Sequence, residues 1–300
     1  MRRGSRLVVR GMAAGLIVAG LAAAATQATA AAATVTAAPA ALGANSGPGV
    51  IHAAYAEEEN AVTGAAIWSR SPHAEVPMGS ITKVMTAYLV IKAGHLGRLI
   101  TVPKGIIAYD ERFGASTAGL KPGQKLTARQ LLYALLIPSG CDAAYTLAQA
   151  YGPGRANFIA KMNATAARLG LSRTHFTDFS GLPDPTEHST YSDAQDLISL
   201  GRDAMALPLL ASIVKLAIYH LARAAGEHPA FTWSTTNPLI GDYPGAVGIK
   251  TGNTQAAGDC LLFEAIRKGK AVIGVVLGDS SWTDVTHDSE TLLAYGFSHY

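Results

Sequence analysis

From Ser80 onward the apolar positions Ile81, Val84, Met85, Tyr88 and Leu89 recur three and four residues apart, which predicts a helix that begins close to Ser80 and buries one face. Upstream, two short apolar-leaning runs, Val50–Ala56 and Ala61–Trp68, are separated by Glu57-Glu58-Glu59-Asn60, a pattern that predicts a β-hairpin with the acidic residues in its connection. Residues 100–240 read as mostly helical, punctuated at Pro122-Gly123 and Pro153-Gly154. Within them Leu126–Ile137 is apolar around much of its circumference and predicts a central buried helix. Ala156–Leu169 is amphipathic and stops at Gly170. The polar, Pro- and Gly-containing stretch Phe179–Ser192 predicts a long surface loop. Three strand-length runs follow, Ala246–Thr251, Asp259–Ala265 and Ala271–Leu277, before a last helix over Asp284–Tyr295.

Strands at both ends with helices between them predict an α+β fold: one antiparallel sheet assembled from N- and C-terminal segments, with an all-helical region inserted. The chain shows no internal repeat.

The first residues change how composition is read. Arg2, Arg3, Arg6 and Arg10 precede an apolar run, Met12–Ala25, and the small residues Ala28-Thr29-Ala30. That order predicts a secretory signal over residues 1–30, and the apolar run is too short to cross a bilayer of ~30 Å as a helix. Residues 31–50 are Ala-, Pro- and Gly-rich and uncharged, which predicts a flexible leader. Of the 24 basic residues four lie in the signal, so the mature chain sets 20 against 21 acids and sits near −1. Its bulk charge gives no basis for binding nucleic acid or anionic membrane. About 250 residues remain, enough for one large domain over 51–300. Cys141 and Cys260 are too few for a disulfide scaffold and lack zinc-motif spacing; a single bridge between them in an oxidising compartment is left open.

Three short motifs carry chemistry. Ser80-Ile81-Thr82-Lys83 sets a hydroxyl at a helix start and an amine one turn later on the same face, where the amine can act as base and the backbone N–H groups can stabilise an oxyanion. Ser139-Gly140-Cys141 places a hydroxyl on a break immediately after a buried helix. Lys250-Thr251-Gly252 puts a cation, a hydroxyl and a glycine on a strand that could form an edge for carboxylate binding. Taken singly, each has a plain structural reading: a capping serine with a solvated lysine, a helix stop, and a strand running into a turn. Ser212-Ile213-Val214-Lys215 repeats the first spacing and reads as ordinary helix surface.

In combination and in this order, the three motifs resemble those of penicillin-binding proteins and class A β-lactamases. The stretches PMGSITKVMTAYLV, AGLKPGQKLTARQLLYALLIPSGCDAAYTLA, KMNATAARLGL and GAVGIKTGNTQAAGDCLL extend the likeness to the low-molecular-weight penicillin-binding proteins, the serine-type D-alanyl-D-alanine carboxypeptidase/transpeptidase family, in its SGC-containing actinomycete-like subgroup. The likeness runs from about residue 51 to the end. It implies a transpeptidase fold, with the α/β part at about 51–83 and 240–300 and the helical part at about 84–239. It implies attack by Ser80 on a D-Ala-D-Ala stem peptide of peptidoglycan, with Lys83 as base and Ser139 as proton relay. Cys141, Lys250, Thr251, Gly252 and Asn253 would bind substrate, with the N–H groups of Ser80 and Asn253 as oxyanion hole. β-Lactams would acylate Ser80, and neither a cofactor nor a metal is required.

Two departures accompany the likeness. The second motif ends in Cys141 where most of the family has Asn, and a thiol hydrogen-bonds a peptide more weakly than an amide. The chain also ends at Tyr300, which implies no C-terminal β-domain and no stable membrane anchor, hence a secreted, cell-wall-associated protein. A class A-like β-lactamase needs a glutamate with an asparagine four residues on; Glu187 and Glu227 are followed instead by Tyr191 and Phe231. A catalytically impaired wall-binding homologue is the remaining alternative. The choice between water and an amine as acceptor is not written in the residues.

Overall fold

A computed structural model describes residues 47–300; the expected signal and most of the expected leader lie outside the described residues. The chain opens with β1 (Tyr55–Asn60) and β2 (Ala66–Arg70) and passes through a 3₁₀ turn at Gly79–Thr82 into α1 (Lys83–Ala93). It closes with β7 (Ala246–Thr254), β8 (Gly258–Arg267), β9 (Lys270–Asp279) and α8 (Trp282–Ser298). These five strands form one sheet in the order β2-β1-β9-β8-β7, antiparallel throughout. N- and C-terminal pieces therefore do meet in a single sheet, and β7 is its edge.

Between them come α2 (Gly105–Phe113), α3 (Ala128–Leu136), α4 (Cys141–Tyr151), α5 (Arg155–Arg168), α6 (Ala194–Met205) and α7 (Pro208–Val214). This region is not all helix. Leu99–Thr101 (β3) pairs with Lys125–Thr127 (β4), and Ile218–Leu221 (β5) with Phe231–Ser234 (β6), as two small antiparallel ribbons. Runs of three or four residues are too short to impose a period on the sequence, which is why the helical reading absorbed them.

The sheet is covered on both faces. On β8, Leu262 packs into the larger core with α1, α3 and α6, while Leu261 and Phe263 pack into a second core under Leu292 and Leu293 of α8. β9 alternates in the same way, Ile273 and Val275 to one side and Val272 and Val276 to the other. Two covered faces explain why β8 reads as a nearly continuous apolar run.

Two expectations are corrected here. Glu57, Glu58 and Glu59 form the body of β1 rather than its connection, and all three are buried. The turn lies instead at residues 61–65, where Asn60 Oδ1 accepts the N–H groups of Val62 and Thr63. Second, α1 buries seven of its eleven residues, Lys83 among them, rather than one face. It is the central helix, touching α3, α4, α5, α6 and α7, while α3 leaves Arg129 exposed to solvent.

Candidate active site

The 3₁₀ turn that carries Ser80 is held against the edge strand by two glycines. Gly79 adopts φ +52°, and a Cβ there would lie 2.6 Å from the backbone nitrogen of Asn253. A Cβ on Gly252 would lie 2.2 Å from the carbonyl oxygen of Met78. Gly252 was expected to admit substrate; although it lines the cleft, its missing side chain makes room for the chain's own backbone. Serine turn and β7 thus meet without an intervening side chain.

One residue on, Lys83 is fully buried, and its Nζ donates to Ser80 Oγ at 2.6 Å and to the carbonyl of Ser180 at 3.1 Å. That carbonyl is fixed by Asp178, itself fully buried. Asp178 Oδ1 accepts from the N–H groups of Ser180, Gly181 and Leu182 and from Ser180 Oγ–H, while the Tyr109 hydroxyl donates to Oδ2 at 2.7 Å. Thr86 Oγ1 donates to the carbonyl of Phe179 at 2.6 Å, clamping the same segment to α1. The Phe179–Ser192 stretch lacks regular structure as expected, yet its first residues are buried and form the floor beneath Lys83. Ser180 and Asp178 were missed by sequence reasoning, the only signal being a short Asp-x-Ser-Gly inside a loop.

Ser139 follows α3 with φ 63°, a left-handed conformation unusual outside glycine. Its neighbours enforce it. The Ser116 hydroxyl donates to the Ser139 carbonyl at 2.8 Å, Gly140 N–H to Ala134 O at 3.0 Å, and Cys141 N–H to Ser116 O at 2.8 Å. The Asp142 carboxylate collects the N–H groups of Ala118, Leu120 and Ala143, holding the opposite strap of chain; burial nevertheless pushes this carboxyl up.

Lys250 is buried, with Nζ donating to Thr251 O at 3.0 Å and to Thr251 Oγ1 at 3.2 Å. Thr251 Oγ1 also meets Thr236 Oγ1 at 2.6 Å, a third residue the sequence did not single out. Burial first, and then the Lys83 charge, push the Lys250 amine well below the usual lysine range. Asn253 is tied by its side-chain amide to Asp259 across the β7–β8 ladder.

These groups converge on a cleft of about 460 Å³ lined by Ser80, Ser139, Thr251, Gly252 and Asn253, with Phe113, Ser116, Leu182, Thr236 and Trp282 around them. Lys83 and Lys250 lie beneath its surface. Cys141 does not line it: the thiol is 1% exposed and faces Ser116 Oγ at 3.8 Å, behind the wall. Cys141 and Cys260 are both free, so the bridge left open by the sequence is absent. The second Ser-x-x-Lys stays on the outside of α7, where Ser212 Oγ donates to Leu209 O at 2.7 Å. A hydroxyl against a buried amine, a second hydroxyl on a fixed loop and a cation beside an edge strand are the parts needed for acyl transfer through a serine ester.

Comparison with known proteins agrees. The Peptidase S11 family model, described as D-alanyl-D-alanine carboxypeptidase, matches residues 46–281. A D-alanyl-D-alanine carboxypeptidase of Streptomyces sp. strain K15 is 37% identical over 250 residues, covering 80% of this chain and 85% of that protein. The carboxypeptidase DacB2 of Mycobacterium tuberculosis is 34% identical over 243 residues, 79% of each. The crystal structure of the Streptomyces K15 DD-transpeptidase superposes with a TM-score of 0.79 at 37% identity, covering 84% of this chain and 99% of that one.

Proposed function

Because the chain belongs to the Peptidase S11 family of D-alanyl-D-alanine carboxypeptidases and is a serine-type DD-peptidase, we propose the following division of labour in its cleft. Ser80 Oγ attacks the carbonyl carbon of the penultimate D-alanine and gives its proton to Lys83 Nζ. The observation that carries this assignment is the 2.6 Å contact between that oxygen and a fully buried amine. The tetrahedral oxyanion sits between the backbone N–H groups of Ser80 and Asn253, which the interlocked glycines bring to one place. Ser139 passes a proton to the departing D-alanine nitrogen as the C–N bond breaks, leaving an ester on Ser80. Water or an amine then attacks that ester and restores the hydroxyl.

Lys250 and Thr251 take the terminal carboxylate of the substrate. Arrival of that anion supplies the counter-charge that burial denies Lys250. Cys141, set behind Ser116 and Ser139, acts by packing the loop that carries Ser139 rather than by touching the peptide.

The protein acts on the cell-wall peptidoglycan, outside the cytoplasmic membrane. Export through a signal ending near Ala30 is the finer reading, supported by the arginine, apolar and small-residue order of the first 30 residues. Incubation with a diacyl tripeptide ending in D-Ala-D-Ala should release D-alanine, and a fluorescent penicillin should label the protein on the Ser80 peptide. Ser80→Ala should abolish both while leaving the circular dichroism spectrum unchanged. Labelling of the Ser80→Ala protein would refute the assignment.

A further inference from the structure

We propose that His52, His287 and Asp288, with Asp279 beside them, form a binding site for a zinc-class divalent cation that ties the segment preceding β1 to α8. One donor atom from each of His52, His287 and Asp288 lies within 4.8 Å of the other two. His52 comes from the chain ahead of β1, His287 and Asp288 from the second turn of α8, and Asp279 from the end of β9. None of the four lines the catalytic cleft.

The first coordination sphere is partly set. His52 Nδ1 and Asp288 Oδ1 are 2.9 Å apart. Tetrahedral zinc bonded at about 2.0–2.2 Å separates its ligand atoms by about 3.3–3.5 Å, so this pair needs to open by only a few tenths of an ångström. The metal takes the place of the proton now shared by Nδ1 and Oδ1, which moves to Nε2 of a neutral His52 or leaves to solvent from a charged one. Asp288 is fully buried, and its Oδ2 accepts the backbone N–H groups of His52 at 2.5 Å and Ala53 at 2.7 Å. Backbone donors of this kind orient a ligating carboxylate and leave its other oxygen for the ion. The His287 ring stands edge-on to that of His52, with centroids 5.5 Å apart, and is exposed where it borders a surface cavity with Thr283 and Glu290.

Asp279 is the independent observation. It is 2% exposed, its carboxyl lies beside that of Asp288, and among the described residues no donor reaches either of its oxygens. Two adjoining buried carboxylates with one exposed imidazole between them as counter-charge are costly. A divalent cation held by His52, His287 and Asp288 offsets the charge of both carboxylates, with Asp279 as a neighbour of the ion rather than its ligand. A simple His52–Asp288 ion pair accounts for two of the residues and leaves Asp279 and His287 without a role. Two imidazoles among the donors select zinc and its transition-metal neighbours over calcium or magnesium, which prefer oxygen alone.

The test is calorimetric titration of the untagged protein, freed of metal with a chelator, using Zn²⁺, with Co²⁺ absorbance reporting coordination and thermal unfolding as a second readout. One Zn²⁺ per chain, a raised Tm, and a visible Co²⁺ band are expected, with no response to Ca²⁺ or Mg²⁺. His52→Ala and His287→Ala, both at exposed positions, should each weaken Zn²⁺ binding by at least about tenfold and remove the Co²⁺ band, whereas His95→Ala should change neither. Asp279→Asn, which removes a neighbouring charge and no ligand, should weaken binding less than either histidine variant. Penicillin labelling of the histidine variants should be unchanged, which separates loss of metal from loss of fold. Absence of stoichiometric Zn²⁺ binding, or binding that survives both histidine variants, would overturn the proposal.

Discussion

Ser139 is held at φ 63° by three backbone contacts around it, a conformation that costs a non-glycine residue on the order of 1–3 kcal/mol. Ser139→Gly should therefore separate stability from activity. Relief of the left-handed strain should offset the added freedom of glycine in the unfolded chain, leaving stability in urea unchanged or higher by about 1 kcal/mol. Loss of the hydroxyl should lower the rate of D-alanine release by about 10²-fold or more. A loss of both stability and rate would mean that Ser139 matters for packing alone. At this scale Ser80, Lys83, Ser139, Lys250 and Thr251 were singled out from the sequence and the fold brings them to one cleft or directly beneath it, whereas the Thr236 hydroxyl was passed over and Cys141 lies behind the wall. The sequence was illegible where the backbone does the work. The Ser180 carbonyl that steadies Lys83 has no letter of its own, and Asp178, which aims it, looks like any loop aspartate.

Among the elements, the contact between the 3₁₀ turn and β7 is the tightest constraint on the site. A methyl group at position 252 would lie 2.2 Å from Met78 O, and the edge strand would have to move outward to accept it. Gly252→Ala should cost about 1–3 kcal/mol of stability and slow acylation by penicillin more than it weakens the fold, because Thr251 and Asn253 move with the strand. Stopped-flow acylation rates set beside unfolding midpoints would check this; an unchanged rate in a destabilised protein would count against it. β7 and β8 were predictable as strands because their residues are apolar and β-branched or small. β1 was not, because three successive glutamates look like a solvated connection. They are buried because α6 covers one face of β1 and α8 the other: Glu59 pairs with Arg202 at 3.6 Å, while Glu58 fits under Gly296, where a Cβ would lie 2.6 Å from its Oε1.

The whole molecule inherits a pH dependence from these acids. Burial, with Glu59 and Asp193 nearby, raises Glu57 to about 7 from 4.5, and burial alone raises Glu264 to about 7. Folded-state values above the unfolded ones mean that the native state binds more protons across this interval. Stability from these groups is full below about 4.5 and is lost as pH rises through about 7. Urea midpoints should therefore fall between pH 5 and pH 8. Glu57→Gln, neutral throughout, should flatten that slope by up to about 1.4 kcal/mol per pH unit and be the more stable protein at pH 8. An unchanged slope would show that Glu57 is ionised in the native state. The α+β class and the two-ended sheet were legible from the order of strands and helices, but strand order and the two small ribbons required tertiary contacts that no local pattern encodes.

The two-ended sheet also sets the order in which the protein can become an enzyme. Glu58 pairs opposite Gly274, and Gly79 needs the backbone of Asn253 against it, so the β1–β2 hairpin has an open β1 edge and the serine turn no strand beside it until the last third of the chain has appeared. Such distant pairings close slowly, because loop entropy is lost before contacts repay it. A chain made N-terminus first thus carries its hydroxyl and amine on a helix that lacks its cleft for most of synthesis, inert toward any acyl donor. An interrupted chain presents β1 as an unpaired edge instead, which makes truncation products targets for aggregation and proteolysis rather than uncontrolled peptidases.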